Sequence, residues 1–399
     1  MREVVMVDGA RSIFGKLGGG LRFLASSEIG AFVIKGLVER SGILQQGKVD
    51  DVILGSAFND AITSNSARYT TLLSGLPIET VSTFVEMQCG SAITAINHAA
   101  MKIMTGLSDV IIAGGQESYS TLTAKYSMSN EPYRLIAPMP IKQRNSPVDE
   151  QDTDMITNND LMAKTWDISR QACDEFALRS QQRLKSAYAS GLIGPEIIPY
   201  ISPKDKKENV QVFDIDEHPR PDVTFDALTA LRPVYEGGVT TAGNASGRND
   251  GAAFVLMMTA EKAREYGYTP YARWITGAES GCQPNLMGIG AAYSNLKAMK
   301  QAGLRVADID VFECNEAFAA QNLCVIKEMQ KQTGETIDMA KWNPNGGAIA
   351  VGHPNAASGA RITIFGIKQM EKTCGRYAVV SSCCGGGQGT TSIWENLRR

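Results

Sequence analysis

A chain of 399 residues is too long for one compact core and implies two to three folding units. A hydrophobic share of 43% and a charged share of 20% are ordinary globular values and exclude disorder and fibre. The net charge of −3 gives no basic excess for nucleic acid. No apolar run approaches the roughly 18 residues needed to span a bilayer.

The predicted elements alternate between strand and helix. Residues 4–7 read as a strand, 28–41 as a helix and 51–54 as a strand. Residues 91–105 read as a helix with apolar spacing, and 109–113 as a buried-type strand ended by Gly114-Gly115. The same grammar returns late in the chain. Residues 306–313 read as a strand, 316–331 and 358–372 as helices, and 377–381 (YAVVS) as a buried strand before a glycine run. The halves echo each other: VILGSAF at 52–58 is similar to VFECNEAF at 311–318, and 91–115 to 358–386. Two packed α/β units made by duplication are therefore expected.

Between them, about 117–243, lies a polar, irregular stretch carrying Pro132, Pro138, Pro140, Pro147 and Pro219-Arg220-Pro221. One firm helix is expected inside it at 170–190, with Cys173, Phe176, Ala177, Ser180, Leu184 and Ala187 on one face and Gly191 as the stop. So long an insertion is expected to cover an active site. The opening MREVVMVDGARS runs straight into a strand without a leader pattern, so a cytoplasmic location is expected.

The eight cysteines include no C-x-x-C pair, and with three histidines they offer no clustered metal ligands, so no metal site is expected. GARSIFGK at 9–16 departs from the phosphate-loop spacing, and GGGQG at 385–389 lacks the dinucleotide pattern. Four other segments carry chemistry. In QCGSA (88–92), Cys89 precedes a helix, whose positive end is expected to lower the thiol pKa. NEAFA (315–319) closes a strand. NPNGGAIAVGHPNAASGAR (343–361) holds His353. SCCGGGQG (382–389) takes a cysteine into a glycine turn whose N–H groups suit an oxyanion.

In this order the segments resemble the thiolase family, with AGNASGRNDGA (242–252), Leu231-Arg232-Pro233 and Gly9-Ala10-Arg11-Ser12 as further matches. The resemblance covers essentially the whole chain. It implies a layered αβαβα thiolase fold: a first half at 1–118 completed by 244–268, an inserted loop domain at 119–243, and a second half at 269–399. It implies thiolysis or Claisen condensation of coenzyme A thioesters, with acyl-CoA and coenzyme A as partners, no cofactor, and a homodimer or homotetramer. By the same resemblance Cys89 is the nucleophile, His353 its base, and Cys383 the acid/base acting on the acetyl methyl. Backbone N–H groups of Cys89 and Gly385 form one oxyanion hole; His353 and a water held by Asn315 form the other. Arg220 and Ser246 contact coenzyme A, and Met155, Ala242 and Phe318 line its tunnel. Cys384 falls at an aliphatic position.

Departures from the family pattern are Asp154 in place of a histidine, Ala92 for glycine, Asn355 after the His-Pro pair, Ala291 for proline and Glu86 for asparagine. Asp154 and Asn355 point to a polar 3-oxoacyl group. A decarboxylating condensing enzyme is the competing reading; Cys383 within the glycine motif argues against it. A non-catalytic acyl binder is a third, and the intact motifs argue against that.

Overall fold

The computed structural model describes residues 2–127, 133, 137–204 and 208–399. Pro132, among the prolines of the insertion, lies outside them. Nine strands form the body of the sheet: β1 (Val4–Arg11), β2 (Asp51–Gly55), β3 (Val81–Val85), β4 (Val110–Glu117), β5 (Asn249–Thr259), β6 (Ala272–Gly281), β7 (Val311–Cys314), β8 (Tyr377–Cys384) and β9 (Gln388–Asn396). Their order is β7-β8-β9-β6-β1-β5-β4-β2-β3, and the two-residue strand Gly15–Lys16 adds to β5.

The duplication is visible in the pairing. From the middle outward, β1·β5 and β5·β4 are antiparallel and β4·β2 is parallel. In the other direction β6·β9 and β9·β8 are antiparallel and β8·β7 is parallel. The two half-sheets meet where Val5 and Met6 of β1 face Arg273 and Ala272 of β6.

Strand alternation sets the layers. On β5, Ala253, Val255 and Met257 face the shared centre, while Ala252, Phe254, Leu256 and Met258 face outward. The centre is filled by α2 (Ser91–Thr105) and α7 (Ser358–Thr373), through Ile93, Ile96, Ile103, Ile362, Ile364 and Ile367. Outside the first half-sheet lies α1 (Ser26–Ser41), which buries Ile29, Val33, Ile34 and Leu37. Outside the second lie α5 (Gly290–Ala302) and α6 (Ala319–Thr333). The result is the expected αβαβα stack. Each fully buried Ile or Leu contributes roughly 1.5–3 kcal/mol of transfer free energy, so the central helix pair anchors both halves.

The stretch between β4 and β5 contributes α3 (Met155–Thr165) and α4 (Arg170–Ala189), the latter capped by the Ser169 hydroxyl and packed through Phe176 and Ala177 into one core with α5 and α6. The strand expected at 306–313 is a single 3-10 turn, Val306–Asp308, followed by the shorter β7. The helix expected from 316 begins at Ala319, because the Glu316 carboxylate is drawn inward to Ser180, Asn343 and Ile349. Among the described residues no helix is long and apolar enough to cross a membrane.

Candidate active site

Cys89 lies at the end of the path from β3 into α2. The peptide before it is strained: Gln88 holds φ at 49°, a left-handed value uncommon for a residue with a side chain. Three bonds keep it there. Glu86 accepts from the Gln88 backbone N–H at 2.8 Å, the Ser91 hydroxyl donates to the Gln88 carbonyl at 2.7 Å, and the Met87 N–H donates to that hydroxyl at 2.9 Å. The turn sets the Cys89 sulfur 3.2 Å from Nε2 of His353.

The imidazole is oriented by two residues that the motif reading left out. The Asn249 side chain takes the His353 backbone N–H at 2.9 Å and donates to the Gly15 carbonyl at 2.9 Å. His353 Nδ1 lies 2.6 Å from the Ser358 hydroxyl, which donates to the Pro354 carbonyl at 3.1 Å. That hydroxyl has spent its one proton, so it accepts from Nδ1–H. Nε2 is then bare and faces the thiol as an acceptor. Both residues stood inside the quoted motifs, but an isolated Asn or Ser has no spacing that marks it.

Burial decides the protonation states. It pushes the Cys89 thiol up to about 12, with the Glu117 and Glu86 carboxylates adding to the rise. It pushes His353 down to about 3, with Arg361 adding to the fall. The expectation that the helix terminus lowers the Cys89 pKa is therefore corrected: the terminus is present, and loss of water outweighs it. The resting pair is a thiol facing a neutral imidazole, and the imidazole can take the thiol proton as the sulfur attacks. Ser358→Ala removes the acceptor that fixes the tautomer. It is expected to lower the acylation rate about tenfold or more with a smaller change in KM, measured by single-turnover acylation. An unchanged rate would dismiss the tautomer assignment.

Cys383 and Cys384 lie on the end of β8, which runs past the expected 377–381 and leads them into the glycine turn. The strand runs on to Cys384, and Gly386 and Gly387, with φ of 82° and 88°, make the turn into β9. Neighbours on a strand face opposite ways. Cys383 lines the same cavity as Cys89. The Cys384 sulfur packs beneath Gly90, where a Cβ would stand 2.4 Å from it. Burial, followed by the neighbouring Cys89, raises the thiol pKa of Cys383 well above its ordinary range.

The cavity holds about 760 Å³. Met155, Ala242, Ser246, Phe318 and Gly385 all line it with Cys89, His353 and Cys383. Asn315 is buried behind the imidazole, its Nδ2 3.4 Å from His353 Nε2, and its Oδ1 has no partner among the described residues. Arg220 is outside the cavity, exposed, beside a small hollow that also touches Ala242. Of the departures, Asp154 and Asn355 reach the cavity wall. Asp154 caps α3 through the N–H groups of Ile156 and Thr157. Ala92 is buried in the central layer, its Cβ 3.3 Å from the space above Gly359. Among the described residues no group of three or more His, Cys, Asp or Glu is arranged to hold a metal ion.

Family models for the thiolase N-terminal domain and the thiolase C-terminal domain match residues 4–261 and 268–396. The chain belongs to the thiolase family. It is 39% identical over 399 residues to an acetyl-CoA acetyltransferase of Thiocystis violacea, covering 99% of each chain. It is 39% identical over 413 residues to a beta-ketoadipyl-CoA thiolase of Escherichia coli, covering 100% of each. Among solved structures, the acetyl-CoA acetyltransferase of Bacillus anthracis superposes with a TM-score of 0.91 at 34% identity, over 100% of this chain and 99% of that one. Human mitochondrial 3-ketoacyl-CoA thiolase in complex with CoA gives 0.88 at 35%, over 99% and 98%. The thiolase domains and these relatives make the chain an acyltransferase.

Proposed function

We propose that this thiolase interconverts two acetyl-CoA with acetoacetyl-CoA and coenzyme A, or cleaves a longer 3-oxoacyl-CoA, through an acyl group carried on Cys89 in ping-pong order. The observation that carries the reading is the convergence of a thiol–imidazole pair and a second thiol on one cavity. In the first step the Cys89 proton passes to His353 Nε2 and the sulfur attacks the thioester carbonyl. Backbone N–H groups of Cys89 and Gly385 receive the oxyanion. Coenzyme A leaves with the proton of Cys383, which stays behind as a thiolate, while His353 keeps the Cys89 proton on Nε2. In the second step Cys383 takes a proton from the methyl of an incoming acetyl-CoA. The enolate oxygen is held by His353 and by a water on Asn315, whose free Oδ1 suits that role. The carbanion then attacks the acyl carbon and releases Cys89, whose thiolate takes back its proton from His353.

Ser246, Met155, Ala242 and Phe318 form the passage for pantetheine, Arg220 meets the nucleotide beyond the cavity, and residues 119–243 act as the covering insert between halves 1–118, completed by 244–268, and 269–399. The site's parts are side chains and backbone N–H groups, with coenzyme A thioesters as substrates, and the protein works in the cytoplasm. Loss of acetoacetyl-CoA enolate absorbance on adding coenzyme A tests the activity. Neither turnover nor an acyl adduct would overturn it.

The protein is expected to associate as a homodimer or homotetramer. Among the described residues β3 ends the sheet with an unpaired edge, and Leu72, Leu73, Ile78 and Val81 are exposed around it. Light scattering at micromolar concentration should return a multiple of the chain mass, and a monomer would contradict it.

A further inference from the structure

Two charged side chains line the cavity among the described residues, Asp154 and Arg248. Asp154 is committed: its carboxylate accepts from the Ile156 and Thr157 N–H groups at 3.0 and 3.1 Å and from the Thr157 hydroxyl at 2.6 Å. The Arg248 guanidinium has no hydrogen bond or ion pair among the described residues. Its position is close to the chemistry. Arg248 bridges the backbone of His353, and the next residue, Asn249, holds the His353 N–H. Beside it the Tyr119 ring lies largely buried. Tyr119 and Asn355 line the cavity with Arg248, and burial, followed by the neighbouring Cys89, raises the Tyr119 phenol above its ordinary range. A cation, a phenol and an amide thus form one polar wall next to the nucleophile. Phe58, Leu122, Met287 and Phe318 supply apolar wall elsewhere. A guanidinium offers paired N–H donors that match a carboxylate or a phosphate, and Arg248, an exposed residue on the cavity wall, has its donors free of protein partners among the described residues.

We propose that Arg248, with Tyr119 and Asn355, selects 3-oxoacyl thioesters whose acyl chain ends in a carboxylate. This rests on the thiolase reading above. The wall shares the cavity with Cys89 and His353, and Arg248 is joined to His353 by a backbone bridge. The phosphates of coenzyme A belong at the far end of the pantetheine arm. In cleavage, the Cys89 proton goes to His353 and the sulfur attacks the C3 carbonyl. The C2–C3 bond breaks, its electron pair stays on C2, and Cys383 protonates that carbon to release acetyl-CoA. The diacid acyl group remains on Cys89 as a thioester, its free carboxylate on Arg248. The coenzyme A thiol attacks it, giving its proton to the Cys383 thiolate, and His353 returns a proton to Cys89.

The test compares 3-oxoadipyl-CoA with 3-oxohexanoyl-CoA, which have equal chain length and differ by the terminal carboxylate. The native protein is expected to favour the diacid ester by about tenfold or more in kcat/KM. Arg248→Leu is expected to cut that preference about thirtyfold, mostly through KM for the diacid ester, and Arg248→Lys to keep part of it. Among the described residues the Arg248 side chain holds no hydrogen-bond or ion-pair partner, so its replacement orphans no buried group there. Absence of preference in the native protein overturns the proposal. So does an equal penalty on both esters in Arg248→Leu that disappears with 3′-dephospho-CoA esters, which would assign the arginine to a phosphate. If neither ester is cleaved but acetyl-CoA still acylates Cys89, the diacid assignment is wrong. If no acylation occurs, the thiolase reading itself has failed.

Discussion

Cys89→Ala is expected to lower acyl transfer by at least about a thousandfold, equivalent to ~4 kcal/mol of transition-state stabilisation, while leaving coenzyme A affinity close to native. The reason is geometric. His353 Nε2 has one thiol within hydrogen-bond reach, at 3.2 Å, and alanine leaves nothing for the imidazole to activate. The cavity walls that would receive pantetheine, among them Ser246 and Phe318, are untouched by the change. Mass spectrometry after mixing with acetyl-CoA should show one acetyl adduct on the native protein and none on Cys89→Ala; an adduct persisting on the variant would remove Cys89 from its role. Native Cys89 carries a second signature. Its thiol pKa is raised to about 12, so the thiolate fraction grows about tenfold per pH unit throughout the working range. Alkylation by iodoacetamide should rise from about pH 6 to about pH 10 without a plateau. A plateau below about pH 8 would show a resting thiolate–imidazolium pair instead.

The duplicated architecture is readable in the sequence where both halves keep the same local grammar. β2, α2 and β4 in one half and β7, α7 and β8 in the other show matching apolar runs that end in glycine or in polar residues. The central pairing of β1 with β6, and the return of β5 to the first half across the long insertion, depend on contacts between distant segments with no local signal. The site divides along the same line. Cys89, His353, Cys383 and Gly385 stand in glycine-rich runs whose tight turns are written in the residues themselves. Ser358 and Asn249 act through single hydrogen bonds, and such bonds leave no periodicity. The direction of the Cys89 pKa shift was misjudged because a helix N-terminus is local and visible, whereas desolvation depends on the fold around the sulfur. Arg248 lies within the AGNASGRNDGA run, and only the fold shows that it lines the cavity with Cys89 and has no hydrogen-bond or ion-pair partner among the described residues.

The two adjacent cysteines should separate cleanly. Cys383→Ser is expected to accept an acetyl group on Cys89 and then to fail, by at least about a thousandfold, in exchanging the α-hydrogens of acetyl-CoA with solvent deuterium. A serine hydroxyl is far less acidic than a thiol and cannot hold a carbanion's proton reversibly near neutral pH. Burial already raises the Cys383 thiol, which brings it closer to the weakly acidic carbon it must serve. Cys384→Ala is expected to cost at most about tenfold, or about 1.4 kcal/mol. Its sulfur points away from the cavity and fills the space under Gly90, so its loss leaves a small void behind the nucleophile turn without removing a reacting group. The turn stays pinned by the hydrogen bonds of Ser91 and Glu86, none of which uses Cys384. Deuterium incorporation followed by mass spectrometry, run beside the adduct measurement, reads both steps in each variant. Should Cys384→Ala stop exchange while Cys383→Ser sustains it, the sulfur in the cavity is not the base. The strand alternation that assigns Cys383 to the site would then be wrong by one residue.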